Sequence, residues 1–232
     1  MGTCCSRHKK RPPDTSSDED GHAAPVVTND ATSGNNEAQP DTATTPHVFQ
    51  EAIANEKSTD GTANILAGKA KKHWVDEKTG CNCFMLFPRG LSITWSEDPE
   101  YWNWHPFKEA SDTDIETASL EEVCWLDIQG KQELSHLTPG VNYEVVFEVM
   151  LNKSASGWDV PVKFELKFPD GKVQQRKEEL QGKPREQWLK LKVGEVKAQE
   201  GQRGEMEISM FEHGSQWKSG LIIKGIKIIP KT

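Results

Sequence analysis

The chain has 232 residues, 28% of them charged, with a formal net charge of -8, and its mean hydropathy of -0.71 is low for a chain that folds along its whole length. This acidic balance argues against the clustered cationic face that phosphate binding needs, so no nucleic-acid partner is expected. No run of eighteen apolar residues offers a spanning helix, and the first twenty residues hold no apolar stretch of a secretory signal.

The first segment reads Met1-Gly2-Thr-Cys4-Cys5-Ser6, the pattern in which Met1 is removed and Gly2 takes a myristoyl group. One myristoyl chain binds a membrane only marginally, so stable attachment needs a second signal. Cys4 and Cys5 are placed for palmitoylation, and Arg7, Lys9, Lys10 and Arg11 would each add about 1 kcal/mol near an anionic leaflet. The expected location is the cytoplasmic face of a membrane, held by lipid; without acylation it is the cytoplasm or nucleus.

From Pro12 to Thr45 the residues are mostly Ser, Thr, Asp, Asn, Ala and Pro, too polar to bury a core, so residues 1–46 are expected to form a disordered tether. Thr45-Pro46 then reads as a helix start, with Val48, Phe49, Ala52 and Ile53 on one face; Asp60-Gly61 ends it, and a second short helix is expected over Ala63 to Lys72. Residues 47–83 form this helical lead-in. The five cysteines do not make a spaced disulfide framework. Cys81-Asn-Cys83 with His73 nearby lacks a second ligand pair, so no metal or other cofactor is expected.

Beyond Phe84 the apolar period becomes two. Val141, Tyr143, Val145, Phe147 and Val149 alternate with more polar residues, and Val162, Phe164, Leu166 and Phe168 alternate with Lys163, Glu165 and Lys167. Pro169-Asp-Gly171 supplies a turn. Strands continue through Leu189 to Val193, Met206 to Met210 and Leu221 to Ile229. Many short strands without alternating helices predict an all-β antiparallel sandwich or barrel over residues 84–232.

Three of the eight tryptophans fall within ten residues, in Ser92-Ile-Thr-Trp95, Asp98-Pro99 and Tyr101-Trp102-Asn-Trp104. With Val123-Cys-Trp125-Leu-Asp-Ile-Gln-Gly-Lys131 and Trp217-Lys-Ser-Gly-Leu-Ile-Ile-Lys-Gly225, the order and spacing from about Phe84 to Pro230 resemble the phloem protein two family of plant lectins, which includes the Nictaba-related lectins. The resemblance narrows the fold to a jelly-roll-like β-sandwich. It implies a carbohydrate site for oligosaccharides or glycoproteins containing N-acetylglucosamine, with Trp95, Trp102, Glu205 and Glu212 as the matching residues. Trp217, in a turn beside Glu212, is an added contact. A homodimer is compatible with this reading.

Strand parity qualifies these assignments. Trp95 shares the parity of Leu91 and Ile93, so it is either a core plug or a stacking platform. Trp102 follows Asp98-Pro99 and is expected on a recognition loop, whereas Trp125, flanked by Val123 and Leu126, is expected in the core. Glu205 and Glu212 differ in parity and share a site only if the strand between them ends or bulges. Two glutamates near aromatic rings invite comparison with a glycosidase pair, but nothing marks either as a proton donor, and no nucleophile elbow or P-loop is present. The expectation is a binding module and not an enzyme; the alternative is a structural or protein-interaction module of the same fold that has lost sugar binding.

Overall fold

In a computed structural model of the chain, residues 63–66, 70–108 and 114–231 are described. The strands in chain order are β1 (Ala63–Leu66), β2 (Lys71–Val75), β3 (Asn82–Leu86), β4 (Ser92–Ile93), β5 (Trp102–Lys108), β6 (Asp114–Leu120) and β7 (Leu126–Glu133). They continue as β8 (Asn142–Ser156), β9 (Val162–Lys167), β10 (Val173–Glu178), β11 (Trp188–Lys197), β12 (Glu205–Glu212) and β13 (Ser219–Pro230). Every pairing is antiparallel. The strands form two sheets, as the alternating pattern predicts. One sheet has the order β10-β9-β12-β7-β4; in the other, β1-β2-β3-β13-β6-β5 forms the main path and β8 links β13 to β11.

The inner faces of the two sheets make the core, because each strand presents every second side chain to it. Tyr143, Val145, Phe147, Val149 and Leu151 of β8 face Val162, Phe164 and Leu166 of β9 and Met206, Ile208 and Met210 of β12, all fully buried. The rings of Phe147 and Phe164 meet between the sheets at 5.8 Å.

β13 is the hub of its sheet. One side pairs with β8 along nearly its whole length; the other pairs with β6 at Ile222 and Ile223 and then with β3 from Ile226 to Ile228. The exchange falls at a bulge between Ile223 and Gly225. Gly225 has φ 146°, and a Cβ there would lie 2.1 Å from the Leu86 carbonyl oxygen. Only glycine lets β3 come that close. At the far edge of this sheet, Gln174 of β10 bridges to β11: its Nε2 donates to the Glu195 carbonyl (2.7 Å) and its Oε1 accepts the Glu195 N–H (3.0 Å).

Several expectations need correction. The second helix is absent: Ala63–Leu66 and Lys71–Val75 pair with each other as strands, and β2 pairs with β3 from Lys71 to Val75. A segment this short gains little from helical propensity, and the unpaired edge of buried β3 outweighs it. The first expected helix lies outside the described residues. Trp102 is not on a loop. The turn after Asp98-Pro99 ends at Tyr101, and Trp102 opens β5 with 2% of its surface exposed and its Nε1 donating to the Thr94 carbonyl (3.1 Å). Trp125 is not in the core. The chain bends at Cys124 and Trp125 before β7 begins, so the parity with Val123 is broken and the indole is only partly buried.

A polar network sits inside the β2–β3 end. His73 Nε2 donates to Asn82 Oδ1 (3.0 Å), Asn82 Nδ2 donates to the His136 carbonyl (3.1 Å), and the Asn82 and Thr138 N–H groups donate to the hydroxyls of Thr138 and Tyr143 (both 3.0 Å). Phe84 lies between the two histidines, at 5.2 Å from His73 and 6.3 Å from His136. Burial, with Lys71 nearby, pushes the His136 imidazole down from 6.5 to about 4; the same burial lowers His73.

Two consequences are measurable. Trp102→Ala leaves a cavity beneath β5 and should lower unfolding free energy by about 3–5 kcal/mol in urea denaturation. The folded state holds His136 neutral while the unfolded state takes up a proton below its ordinary value, so stability is fully present above pH 6.5 and is lost as pH falls toward 4. His136→Gln removes this titration, and its melting temperature should decline less steeply than the wild type's across that window.

Candidate functional site

The loops 94–101, 121–125, 157–161 and 213–217 meet at one end of the sandwich. Hydrogen bonds join them. Thr94 N–H donates to the Asp127 carbonyl (3.0 Å) and Glu121 N–H to the Tyr101 carbonyl (2.9 Å), while Val123 and Lys218 exchange two backbone bonds of 2.9 and 2.7 Å. The Gln216 Nε2 donates to Asp159 Oδ2 (2.7 Å).

Beneath these loops lies a buried charge pair. Lys218 is 1% exposed and Glu212 6%. Lys218 Nζ donates to the carbonyls of Cys124 and Gln216 (both 2.8 Å) and forms an ion pair with Glu212 Oε2. The Gly214 N–H donates to Glu212 Oε1 (2.8 Å). A lysine this deep persists only when each ammonium proton finds an acceptor, and here two carbonyls and a carboxylate supply them.

Trp217 stands on the outside of this anchor. Its side is fixed by Gly157, whose φ is 80° and where a Cβ would lie 1.8 Å from the Trp217 carbonyl oxygen. Next to it, Trp158 is buried with Nε1 donating to the Ser219 carbonyl (2.9 Å). The Trp217 indole is 37% exposed and Val160 on the neighbouring loop 40%, so the end carries apolar surface among polar side chains.

A second aromatic group lies on loops 121–125 and 213–217. The rings of Trp125 and His213 stack at 3.9 Å and 6°. His213 Nε2 bonds to Asp127 Oδ2 (2.8 Å), and Asp127 Oδ1 accepts from Gln129 Nε2 (3.0 Å).

The structure therefore brings four of the five expected residues to one end. Trp95 occupies the turn after β4 with φ 61° and packs its half-buried ring 5.3 Å from Tyr101. It faces the core in part and solvent in part, which joins the two alternatives. Trp102 and Glu212 are buried supports, and Trp217 is the exposed member. Glu205 is elsewhere. β12 runs unbroken from Glu205 to Glu212 in register with β7, and seven steps of about 3.3 Å separate them by about 23 Å. Glu205 pairs with Lys131 (3.6 Å) on the open face of the sheet. A glycosidase pair needs its carboxyl groups within about 10 Å, so these two do not form one.

Sequence reasoning missed Lys218, His213, Asp127, Gln216 and Asp159. Only the Trp-Lys spacing of the 217–225 motif pointed near them. Gly2, Cys4 and Cys5 lie outside the described residues. Cys81 and Cys83 are free and buried, and burial pushes the Cys83 thiol up to about 12.

Residues 81–230 match the family model described as Phloem protein 2. A lectin of Luffa acutangula is 48% identical over 172 residues, covering 73% of this chain and 81% of its own. The Arabidopsis thaliana protein phloem protein 2-like A1 is 48% identical over 166 residues, covering 70% and 67%. A lectin of Coccinia grandis is 34% identical over 145 residues, covering 62% and 92%. A family model over most of the described sandwich, with relatives at nearly half identity across both sheets, makes this chain a member of the phloem protein 2 family.

Proposed function

We propose that the protein is a lectin whose loop end captures oligosaccharides containing N-acetylglucosamine. The observation that carries this reading is Trp217, an exposed indole on a loop pinned from below by Lys218 and from the side by Gly157. An indole face matches the apolar C–H face of a pyranose, and the polar groups around it can meet sugar hydroxyls that would otherwise lose their water. The Luffa and Coccinia relatives are named lectins, which supports carbohydrate binding as the class of activity. Within this reading Trp95 flanks the sugar, while Trp102 and Glu212 act from beneath by holding the loops. Glu205 takes no part.

The second half of the proposal concerns location. Gly2, Cys4 and Cys5 carry acyl groups that hold the protein at the cytoplasmic face of a membrane, supported by the basic run from Arg7 to Arg11.

Calorimetry with chitotriose tests the first half. Trp217→Ala should weaken binding by about five- to thirtyfold, as expected for loss of a stacking contact worth about 1–2 kcal/mol, while its unfolding free energy stays within about 0.5 kcal/mol of wild type. A wild type that gives no heat with chitotriose and no glycan-array signal leaves the interaction-module alternative in place. Fractionation of protein tagged at Thr232 tests the second: Gly2→Ala should move from membrane to soluble fractions, and equal partitioning of the two proteins rejects the anchor.

A further inference from the structure

We propose that His213 is the residue that selects acetamido sugars over plain hexoses, by accepting a hydrogen bond from the acetamide N–H at its Nδ1. The inference rests on the lectin reading and assigns a residue role within that site.

Tautomer follows from contact. His213 Nε2 lies 2.8 Å from Asp127 Oδ2. A carboxylate oxygen accepts, so the hydrogen bond places a proton on Nε2, and in the singly protonated ring Nδ1 is the lone-pair nitrogen. Asp127 is itself held, since Gln129 Nε2 bonds its other oxygen (3.0 Å) and its backbone carbonyl takes the Thr94 N–H (3.0 Å). Only 17% of its side chain is exposed, against 34% for His213.

Orientation is fixed as well. Trp125 covers one face of the imidazole at 3.9 Å and 6°, and Phe211 lies 5.0 Å away at 34°. The ring has little freedom to flip or swing, so Nδ1 is presented in one direction. A preorganised acceptor of this kind costs little ordering entropy when the ligand arrives.

The chemistry then discriminates. A sugar hydroxyl can donate, accept or rotate toward water, whereas a secondary amide N–H can only donate. An acceptor locked in place on the same loop as the exposed Trp217 therefore suits the 2-acetamido group. A hexose with the same linkage but a 2-hydroxyl gains less from it.

The test compares chitotriose with cellotriose, which share the β-1,4 linkage and differ at the acetamido group. Calorimetry on the full chain should show wild type favouring chitotriose. In His213→Phe, which keeps an aromatic ring against Trp125 but has no acceptor, chitotriose affinity should fall by about three- to tenfold, the worth of one net hydrogen bond. Cellotriose affinity should not change. Should the phenylalanine variant fail to fold, His213→Ala is judged by the same ratio of affinities. Unchanged preference in a folded variant overturns the proposal, and so does an equal loss for both sugars, which would make His213 only a support for Trp125. If wild type binds neither sugar, the lectin reading itself fails and this inference falls with it.

Discussion

The loop end depends on one buried ammonium group. Lys218 enters the protein from the start of β13 and binds the carbonyl of Cys124, the carbonyl of Gln216 and the carboxylate of Glu212. Withdrawing both charges from water is costly, and their attraction offsets this only because every remaining donor is also matched. The result is geometric more than energetic. Strands that belong to different sheets send their loops to one point, so the side chains above it keep fixed separations. Remove either charge and the other is left stranded in the interior, which is why Glu212 belongs to the architecture of the end and not to its surface.

The same logic of shared partners operates in the backbone. β13 serves β8 on one side and two successive strands on the other, and the change of partner is possible because Gly225 has no side chain. Below that point β3 replaces β6, and Met85 of β3 and Phe87 just beyond its end meet Ile115 in a second apolar cluster on the outer face of the sheet, with Trp74 and Phe107 packed against it. The larger sheet is thus apolar on both faces near its centre. Its buried Glu148 is met there by Lys224 (3.2 Å) and Lys227 (3.7 Å).

Much of this was legible in the residues. The period of two located β8, β9, β11, β12 and β13, and the turn at Gly171 falls where Pro169-Asp170 placed it. What parity could not resolve is where a strand begins. Val123 and Trp125 share a parity on paper, but an isolated bridge at Val123 followed by a bend puts them in different environments. The reverse holds for Trp102, since a turn one residue longer would have left it outside. Lys218 was invisible for another reason: lysine is almost never fully buried, and its three acceptors come from residues distant in sequence or from backbone carbonyls. Glu205 and Glu212 carried a parity mismatch that already argued against a common site, and the unbroken register of β12 decides it.

The Gln174 bridge has a wider meaning. A sheet that ends in a long strand offers its free N–H and C=O groups to any passing chain, and this is the usual route by which β proteins join edge to edge. At Glu195 both groups are already taken by the amide of Gln174, which imitates a neighbouring strand with a single side chain. Lys192, Lys231 and Glu195 then crowd the same stretch with charge. The edge is blunted at this point, so a strand approaching β11 at Glu195 finds neither backbone group free and meets paired charges instead of a bare ladder.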